Sequence, residues 1–289
     1  MPFEVVARAS RAAGEANEDA AGFAQTGGGI FFQQSAWVLD GATGVAEREY
    51  VPGAATDAAW LASALSEEMA AEFGFNSGMF GATQYLARIV DRVAARYRML
   101  VPNYRRLPRY ARPSAAVMWL RATLEWIEFW HQGDCIAVVE QGDQIKCLGT
   151  VDRTGSDGKL QEMLAARVEG AANGLSTALV DELRRRRGRL NRPDGYWMMG
   201  IDRRAVKAME FGIVRVRPGT RVLLCSDGYW RLVDHFRRYD AAELLRASFE
   251  RGPEALLDEL RALEMADPEC RAVPRVKPMD DATALLLRF

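Results

Sequence analysis

The amino-acid sequence predicts a single α+β domain in which a sheet packs against a second sheet on one face and against helices on the other. Strand-like and helical segments occur in groups along the chain, which is typical of α+β domains and not of folds built from βαβ crossovers. In "LEWIEFWH" (124–131) apolar side chains occupy odd and even positions, so this strand would be buried on both faces. Together these two observations indicate a layered domain.

The first part of the chain predicts strands followed by two helices. Apolar patterns bounded by glycine indicate the strands, and apolar residues at helical spacing indicate the helices. The triple glycine at 27–29 predicts a hairpin turn between the first two strands. The predicted elements are strands at 20–26, 29–34 and 36–40, and helices at 55–74 and 83–100.

The rest of the chain predicts four strands, a helix, two strands, further helices and a last strand. No internal repeat and no low-complexity linker interrupts this order, which favours one domain. The predicted elements are strands at 115–121, 124–131, 135–141 and 144–151, a helix at 158–190, strands at 212–219 and 221–228, helical segments within 229–265, and a strand at 282–289.

The composition is that of a soluble globular protein, with 49% hydrophobic and 27% charged residues. The 289 residues allow a sizeable core, and a net charge of −1 creates no overall field that would attract nucleic acid or a membrane. The N-terminal stretch lacks the apolar core of a signal peptide, and no stretch has the roughly 18–20 apolar residues that span a bilayer. Four separated cysteines without CxxC spacing, with only two histidines, argue against a zinc site. We therefore expect a cytoplasmic protein with reduced thiols.

Acidic residues stand where several of the predicted strands begin or end. Any one Asp-Gly pair is most simply a turn, but the recurrence at four strand ends predicts a shared site. Converging carboxylates repel one another unless cations neutralise them, and oxygen ligands of this kind select Mg²⁺ or Mn²⁺. A glycine after the aspartate leaves room for a cation to reach the backbone carbonyl. The four clusters are "NEDA" (17–20), Asp40-Gly41, Asp227-Gly228 and Asp280-Asp281.

Five segments that contain these acids follow one another in a recognisable order. They are "NEDA" (17–20), "VLDGATG" (38–44), "GDCIAVVEQGDQI" (133–145), "LLCSDGYWRLVD" (223–234) and "DDATALLL" (280–287). In this order they resemble the motifs of the bacterial-type metal-dependent protein phosphatases, the PPM or protein phosphatase 2C-like family. The resemblance implies a four-layer α-β-β-α sandwich of two antiparallel sheets flanked by helices. It also implies one phosphatase domain over 1–289, with a variable helical flap at about 155–195.

The resemblance also implies roles for individual residues. Asp19 would orient a water bound to the metal ions and would act in catalysis together with Asp40. Asp281, which stands where the family usually has Asn, would support the site, and Asp134 would have a structural role in a strand turn. Two ions on shared carboxylates lower the pKa of a bridging water for in-line attack on a phosphoryl group. The implied ligands of two Mg²⁺ or Mn²⁺ ions are Glu18, Asp40, Gly41 through its backbone carbonyl, Asp227 and Asp280.

Two positions depart from the family pattern. The arginine that grips the substrate phosphate usually lies four residues before the first metal glutamate, where this chain has Gly14, and we expect Arg11, or its neighbour Arg8, to take that role. The histidine that usually follows the first Asp-Gly is replaced by Ala42. Loss of a general acid costs about 10²–10⁴-fold in rate and leaves the contribution of the metal ions in place.

One basic segment of the expected flap has two interpretations. "RRRRGR" (184–189) would either attract phosphorylated segments or form a solvated helix end that is favoured by the helix dipole. We interpret it as the solvated helix end.

The resemblance implies a phosphatase that removes phosphate from serine or threonine in proteins. We expect a phosphorylated protein as substrate, an opposing Ser/Thr kinase, no nucleic-acid or membrane partner, and a monomer. Two alternatives stay open because the phosphate arginine and the histidine are missing from their usual places. One is a weak or inactive module that binds a phosphorylated partner, and the other is a hydrolase of small phosphoesters.

Overall fold

The computed structural model describes residues 2–26, 33–42, 44–76, 81–123, 125–142, 144–149 and 177–289. The strands are β1 (Glu4–Arg11), β2 (Asp19–Thr26), β3 (Gln33–Gly41), β4 (Ser114–Ala122), β5 (Trp126–Gln132), β6 (Ile136–Gln141), β7 (Gln144–Leu148), β8 (Met199–Gly200), β9 (Glu210–Arg215), β10 (Arg221–Cys225) and β11 (Ala282–Arg288). The α-helices are α1 (Asp57–Asn76), α2 (Ala82–Leu100), α3 (Thr177–Arg187), α4 (Asp227–Asp234), α5 (Ala241–Arg251) and α6 (Pro253–Ala266).

Two antiparallel sheets form the centre of the structure. One has the strand order β1-β11-β10-β6-β7, and the other has the order β2-β3-β4-β5-β9, with β8 paired to β4. All the strand pairs within these two sheets are antiparallel. The prediction of an α+β fold with two antiparallel sheets is confirmed.

Alternating side chains build three apolar layers. In β4, Trp119 faces a core shared with α1 and α2, whereas its neighbour Met118 faces the core between the sheets. In β10, Val222 also faces the core between the sheets, and Leu223 faces a third core with α5 and α6. Burying a side chain of this size contributes about 1.5–3 kcal/mol. Both sheets are therefore covered on both faces, which confirms the four-layer α-β-β-α sandwich.

Some predicted elements differ from the observed ones. The predicted break at Ser35 is wrong, because β3 runs continuously from Gln33 and the buried Ser35 hydroxyl accepts a hydrogen bond from Trp119 Nε1 at 2.5 Å. Strand β10 ends at Cys225, and Asp227 is the first residue of α4 rather than the end of a strand. The sequence analysis missed β1. The predicted hairpin at 27–29 and most of the predicted helix at 158–190 lie outside the described residues.

The topology brings four acid-bearing segments to one edge of the sandwich. The start of β2 pairs with the end of β3, with Asp19 opposite Asp40. In the other sheet, the end of β10 pairs with the start of β11. Ser226, between β10 and α4, donates its backbone N–H to the Thr283 carbonyl at 3.0 Å. Among the described residues, no helix is both long and apolar enough to cross a membrane.

Candidate active site

The glycines of both Asp-Gly pairs are required by close backbone packing. A Cβ at Gly41 would lie 2.6 Å from the Glu18 carbonyl oxygen, and a Cβ at Gly228 would lie 1.9 Å from the Asp281 carbonyl oxygen. Both distances are shorter than any ordinary carbon–oxygen contact, so only glycine lets these backbones approach. Each Asp-Gly pair therefore brings its own aspartate close to a second acidic segment.

Ser226 connects three of the acid-bearing segments. Its Oγ donates to Asp19 Oδ2 at 2.7 Å and accepts a hydrogen bond from the Thr283 backbone N–H at 2.9 Å. It is also the residue before α4, in extended conformation, so it sets the position from which Asp227 begins the helix. The buried Asp19 carboxylate is therefore held through Oδ2. Its Oδ1 accepts no hydrogen bond from the residues that the structure describes.

Asp281 holds the backbone beside the site. Its two carboxylate oxygens accept hydrogen bonds from the Ala13 and Glu18 backbone N–H groups, each at 2.6 Å. Both of its oxygens are used, so the side chain fixes the segment before β2 and the position of Glu18. This is the supporting role that we expect for Asp281 from the sequence.

A cavity of about 240 Å³ opens where these segments meet. Its walls carry four aspartates, two basic residues and several small or apolar side chains. Glu18 is buried close by, where its charge acts on both basic residues of the cavity. The lining includes Asp40, Gly41, Ala42, Asp134, Arg187, Met198, Asp227, Lys277 and Asp280.

The electrostatics of the cavity disfavour charged carboxylates in the absence of cations. Burial raises the pKa of Asp40 well above its usual value, and repulsion by Asp227, Asp19 and Asp134 raises it further. Burial also raises the pKa of Asp19 well above its usual value, although the hydrogen bond from Ser226 opposes this shift. The charged forms of these carboxylates would therefore be stabilised by a bound cation that adds positive charge to that of the protein's own basic residues.

Two basic side chains hold Asp280. Arg231 donates from a terminal nitrogen to Asp280 Oδ2 at 2.7 Å, and Lys277 Nζ donates to Oδ1 at 2.9 Å. Burial alone would lower the pKa of Lys277, but the charge of Asp280 and its hydrogen bond raise it, so the ammonium group stays charged. The described Asp, Glu, His and Cys residues form no ready-made group of three around a metal position. Asp280 would have to exchange Lys277 for a metal ion.

The residues of the site nevertheless fit hard divalent cations. The donors that converge here are carboxylate oxygens and a backbone carbonyl, which are the ligand types that Mg²⁺ and Mn²⁺ prefer. The buried Asp19 Oδ1 without a hydrogen bond from the described residues and the raised pKa values of Asp19 and Asp40 indicate missing positive charge. The structure thus brings Glu18, Asp19, Asp40, Gly41, Asp227 and Asp280 together, and the assignment of metal ligands among them stays a prediction.

The structure does not bring Arg11 into the cavity. Its guanidinium group binds Asp258 at 2.5 Å and Glu254 at 3.0 Å, both on α6. Arg8 donates to the Ala21 carbonyl at 3.2 Å and is likewise absent from the cavity lining. The expectation that Arg11 or Arg8 grips the phosphate receives no support from this arrangement.

Several residues of the cavity wall were not predicted as functional, and three of them carry charge. Asp134, to which we assigned a structural role, lies in the wall beside Asp40 and contributes to its raised pKa. Met198, Lys277 and Arg187 also line the cavity. For Asp134, the available signal in the sequence was a Gly-Asp pair directly after a strand. For Arg187, it was the run of four arginines. Nothing in the local sequence distinguishes Lys277 from a surface lysine.

Comparison of the amino-acid sequence with protein-family models finds a matching family. The family model described as "Protein phosphatase 2C" matches residues 7–263. No curated protein matches the chain.

Comparison of structures finds similar folds among bacterial phosphatases. The Ser/Thr phosphatase Stp1 from Staphylococcus aureus is 16% identical with a TM-score of 0.56, and the match covers 99% of this chain and 95% of that one. The Ser/Thr phosphatase PstP/Ppp from Mycobacterium tuberculosis is 16% identical with a TM-score of 0.54, covering 99% and 98%. A PstP catalytic domain in complex with 2 manganese ions is 15% identical with a TM-score of 0.52, covering 99% and 97%. At this level of identity the likeness concerns the fold.

Proposed function

The chain belongs to the protein phosphatase 2C family, and from this premise we propose that it is a metal-dependent phosphatase acting on phosphoserine and phosphothreonine in proteins. One observation carries the proposal. Carboxylates from four separate segments, at Glu18, Asp40, Asp227 and Asp280, converge beside one open cavity. Such a concentration of acid is costly without cations.

The ligands of two Mg²⁺ or Mn²⁺ ions would be the side chains of these four acids and the Gly41 carbonyl. When bound, the ions supply a water of lowered pKa and positive charge beside the phosphoryl oxygens. That the similarly folded PstP catalytic domain was obtained with 2 manganese ions supports the number and type of ions.

The chain's own residues prepare the reaction in three ways. Ser226 fixes Asp19 through Oδ2, so Asp19 Oδ1 remains to accept a hydrogen bond from the attacking water and to orient it. Asp281 fixes the Glu18 backbone and so the position of that carboxylate. Neither histidine lies in the cavity wall, since His131 faces Glu210 and His235 binds Asp234. A leaving group that is protonated would therefore take its proton from a donor other than histidine.

The substrate and the cellular setting are proposed on the same basis. A phosphorylated side chain is small enough to enter a cavity of about 240 Å³. We propose a phosphorylated protein as the partner, a Ser/Thr kinase as the opposing enzyme, a monomeric single domain and a cytoplasmic location.

Hydrolysis of a phosphothreonine peptide and of p-nitrophenyl phosphate tests the function directly. We expect turnover of both substrates with Mn²⁺ or Mg²⁺, none with EDTA, and none for Asp40→Asn, which removes a charge from the proposed metal ligands. Turnover of the small ester alone would favour a hydrolase of small phosphoesters. Binding of Mn²⁺ and the phosphopeptide without turnover would favour a module that binds phosphorylated partners.

Lys277→Met is expected to bind Mn²⁺ about 1.4- to fivefold more tightly than the wild type. The Lys277–Asp280 ion pair is partly exposed, with side chains 38% and 17% accessible, and pairs of this kind contribute about 0.2–1 kcal/mol. That energy opposes metal binding, because Asp280 has to leave the pair. Calorimetric titration with Mn²⁺ measures the change. Lys207→Met is the matched control, because Lys207 is an exposed residue of a 3₁₀ segment outside the cavity wall. Unchanged or weaker binding in Lys277→Met would show that Lys277 does not compete with the metal.

A further inference from the structure

Helix α3 ends in four consecutive arginines, and three of them have clear partners. Arg184 donates from Nε to the Val45 carbonyl at 2.8 Å, and its guanidinium lies over the Tyr110 ring. Arg185 and Arg186 both bind Glu182 one turn earlier, at 2.6 and 3.0 Å. Each of these three guanidinium groups therefore has a partner, and Arg184 anchors the helix end to the segment around Val45.

Arg187 is different from its three neighbours. In the part of the chain that the structure describes, its side chain makes no hydrogen bond or ion pair, yet it is partly buried and lines the acidic cavity with Asp40 and Asp227. Burial lowers the pKa of Arg187, while nearby Tyr196 and Glu18 oppose that shift. A guanidinium group stays protonated in such surroundings. The interpretation of the arginine run as a solvated helix end therefore does not describe its last member.

A phosphate that enters this cavity needs a cation besides any metal ions. The wall carries four aspartates, and Glu18 lies beside them, so the protein's own field repels a phosphate dianion. Among the described residues that line the cavity, Arg187 and Lys277 are the basic ones. Lys277 is bound to Asp280, whereas none of the described residues accepts a hydrogen bond from the five N–H donors of Arg187.

We propose that Arg187 is the residue that binds the substrate phosphate, in place of the arginine that this chain lacks at Gly14. The inference rests on the proposed phosphatase function and names the residue that contacts the phosphoryl group. The planar guanidinium fork donates two parallel hydrogen bonds to two phosphoryl oxygens, a geometry that a lysine ammonium does not reproduce. Because Arg187 is the last residue of α3, phosphate binding becomes dependent on the docking of that helix through Arg184 and Val45.

The test compares Arg187→Ala, Arg187→Lys and the control Arg185→Ala with the wild type in the presence of Mn²⁺. Arg185→Ala removes the same charge from the same helix, but the Arg185 side chain is 60% exposed and lies outside the cavity wall. The measurements are KM and kcat for p-nitrophenyl phosphate, the inhibition constant of inorganic phosphate, and calorimetric binding of inorganic phosphate. Thermal melts establish that each variant is folded.

For Arg187→Ala we expect KM and the inhibition constant of inorganic phosphate to rise about ten- to a hundredfold. This is the loss of affinity expected when hydrogen bonds to a charged group are removed. Arg187→Lys should fall between Arg187→Ala and the wild type, and Arg185→Ala should change either constant less than about twofold. A helix that merely loses packing would change stability without this selective effect on phosphate.

The possible outcomes separate this inference from the proposed function. If the wild type turns over substrate and Arg187→Ala keeps its KM and phosphate inhibition, the role of Arg187 is overturned and the phosphatase function stands. If the wild type shows no turnover but binds phosphate with Mn²⁺, and Arg187→Ala loses this binding, the role of Arg187 is upheld and the phosphatase function falls. If the wild type neither turns over substrate nor binds phosphate, both are overturned.

Discussion

Asp227→Asn is expected to lose metal-dependent turnover by about a thousandfold or more, because the contribution of a catalytic metal ion is several kcal/mol. Asp227 is the first residue of α4 and lines the cavity, and its charge raises the pKa of both Asp40 and Asp19. Asparagine has nearly the same shape but supplies no charge to a metal ion. Initial rates with Mn²⁺ and p-nitrophenyl phosphate measure the loss.

The same substitution should stabilise the protein when no metal is present. Removal of one charge from a cluster of mutually repelling carboxylates lowers the free energy of the folded state, so thermal melts in EDTA should show a higher Tm for Asp227→Asn than for the wild type. Asp234→Asn is the matched control, because Asp234 lies on the same helix but binds His235 outside the cavity wall. Full activity in Asp227→Asn, or a lower Tm in EDTA, would contradict a role for Asp227 in a shared metal centre.

The layers of the fold could be predicted because the pattern of apolar residues along a strand indicates which of its faces are buried. Strand β5, with apolar residues on both faces, indicated a sheet covered on two sides. Its Ile127 and Phe129 do face the core between the sheets, but the other face is only partly covered, since Trp126 is 44% exposed. Strand β1 was missed because it is an edge strand that buries only Ala9 fully, so its apolar alternation is weak and its position depends on pairing with β11. The start of α4 was misplaced because the apolar run of β10 continues to Cys225 and the transition depends on Ser226.

The acidic residues of the site could be predicted, whereas the basic ones could not. Glu18, Asp40, Asp227 and Asp280 each stand beside a strand or helix boundary, and that recurrence is visible in the sequence. Arg11 and Arg187 look alike in sequence, since each lies near other arginines. Only the tertiary structure shows that Arg11 is bound by two carboxylates of α6 while Arg187 faces the cavity.

Arg231→Met is expected to lower the free energy of unfolding by about 3 kcal/mol, because removal of one partner leaves a buried carboxylate uncompensated. Arg231 is 5% exposed and binds Glu264, which is fully buried, as well as Asp280. The loss should lie at the lower end of the range for buried pairs, since Arg261 still contacts Glu264. Urea unfolding followed by circular dichroism gives the value.

Arg215→Met is the matched control for this change. Arg215 pairs with Glu125 on the surface, with side chains 58% and 62% exposed, so the same substitution should cost less than about 1 kcal/mol. Arg231 also neutralises Asp280, and a bound cation would take over that charge. Mn²⁺ should therefore raise the Tm of Arg231→Met more than it raises the Tm of the wild type. Equal losses at Arg231 and Arg215, or an equal response to Mn²⁺, would mean that the buried network and the metal centre do not share Asp280.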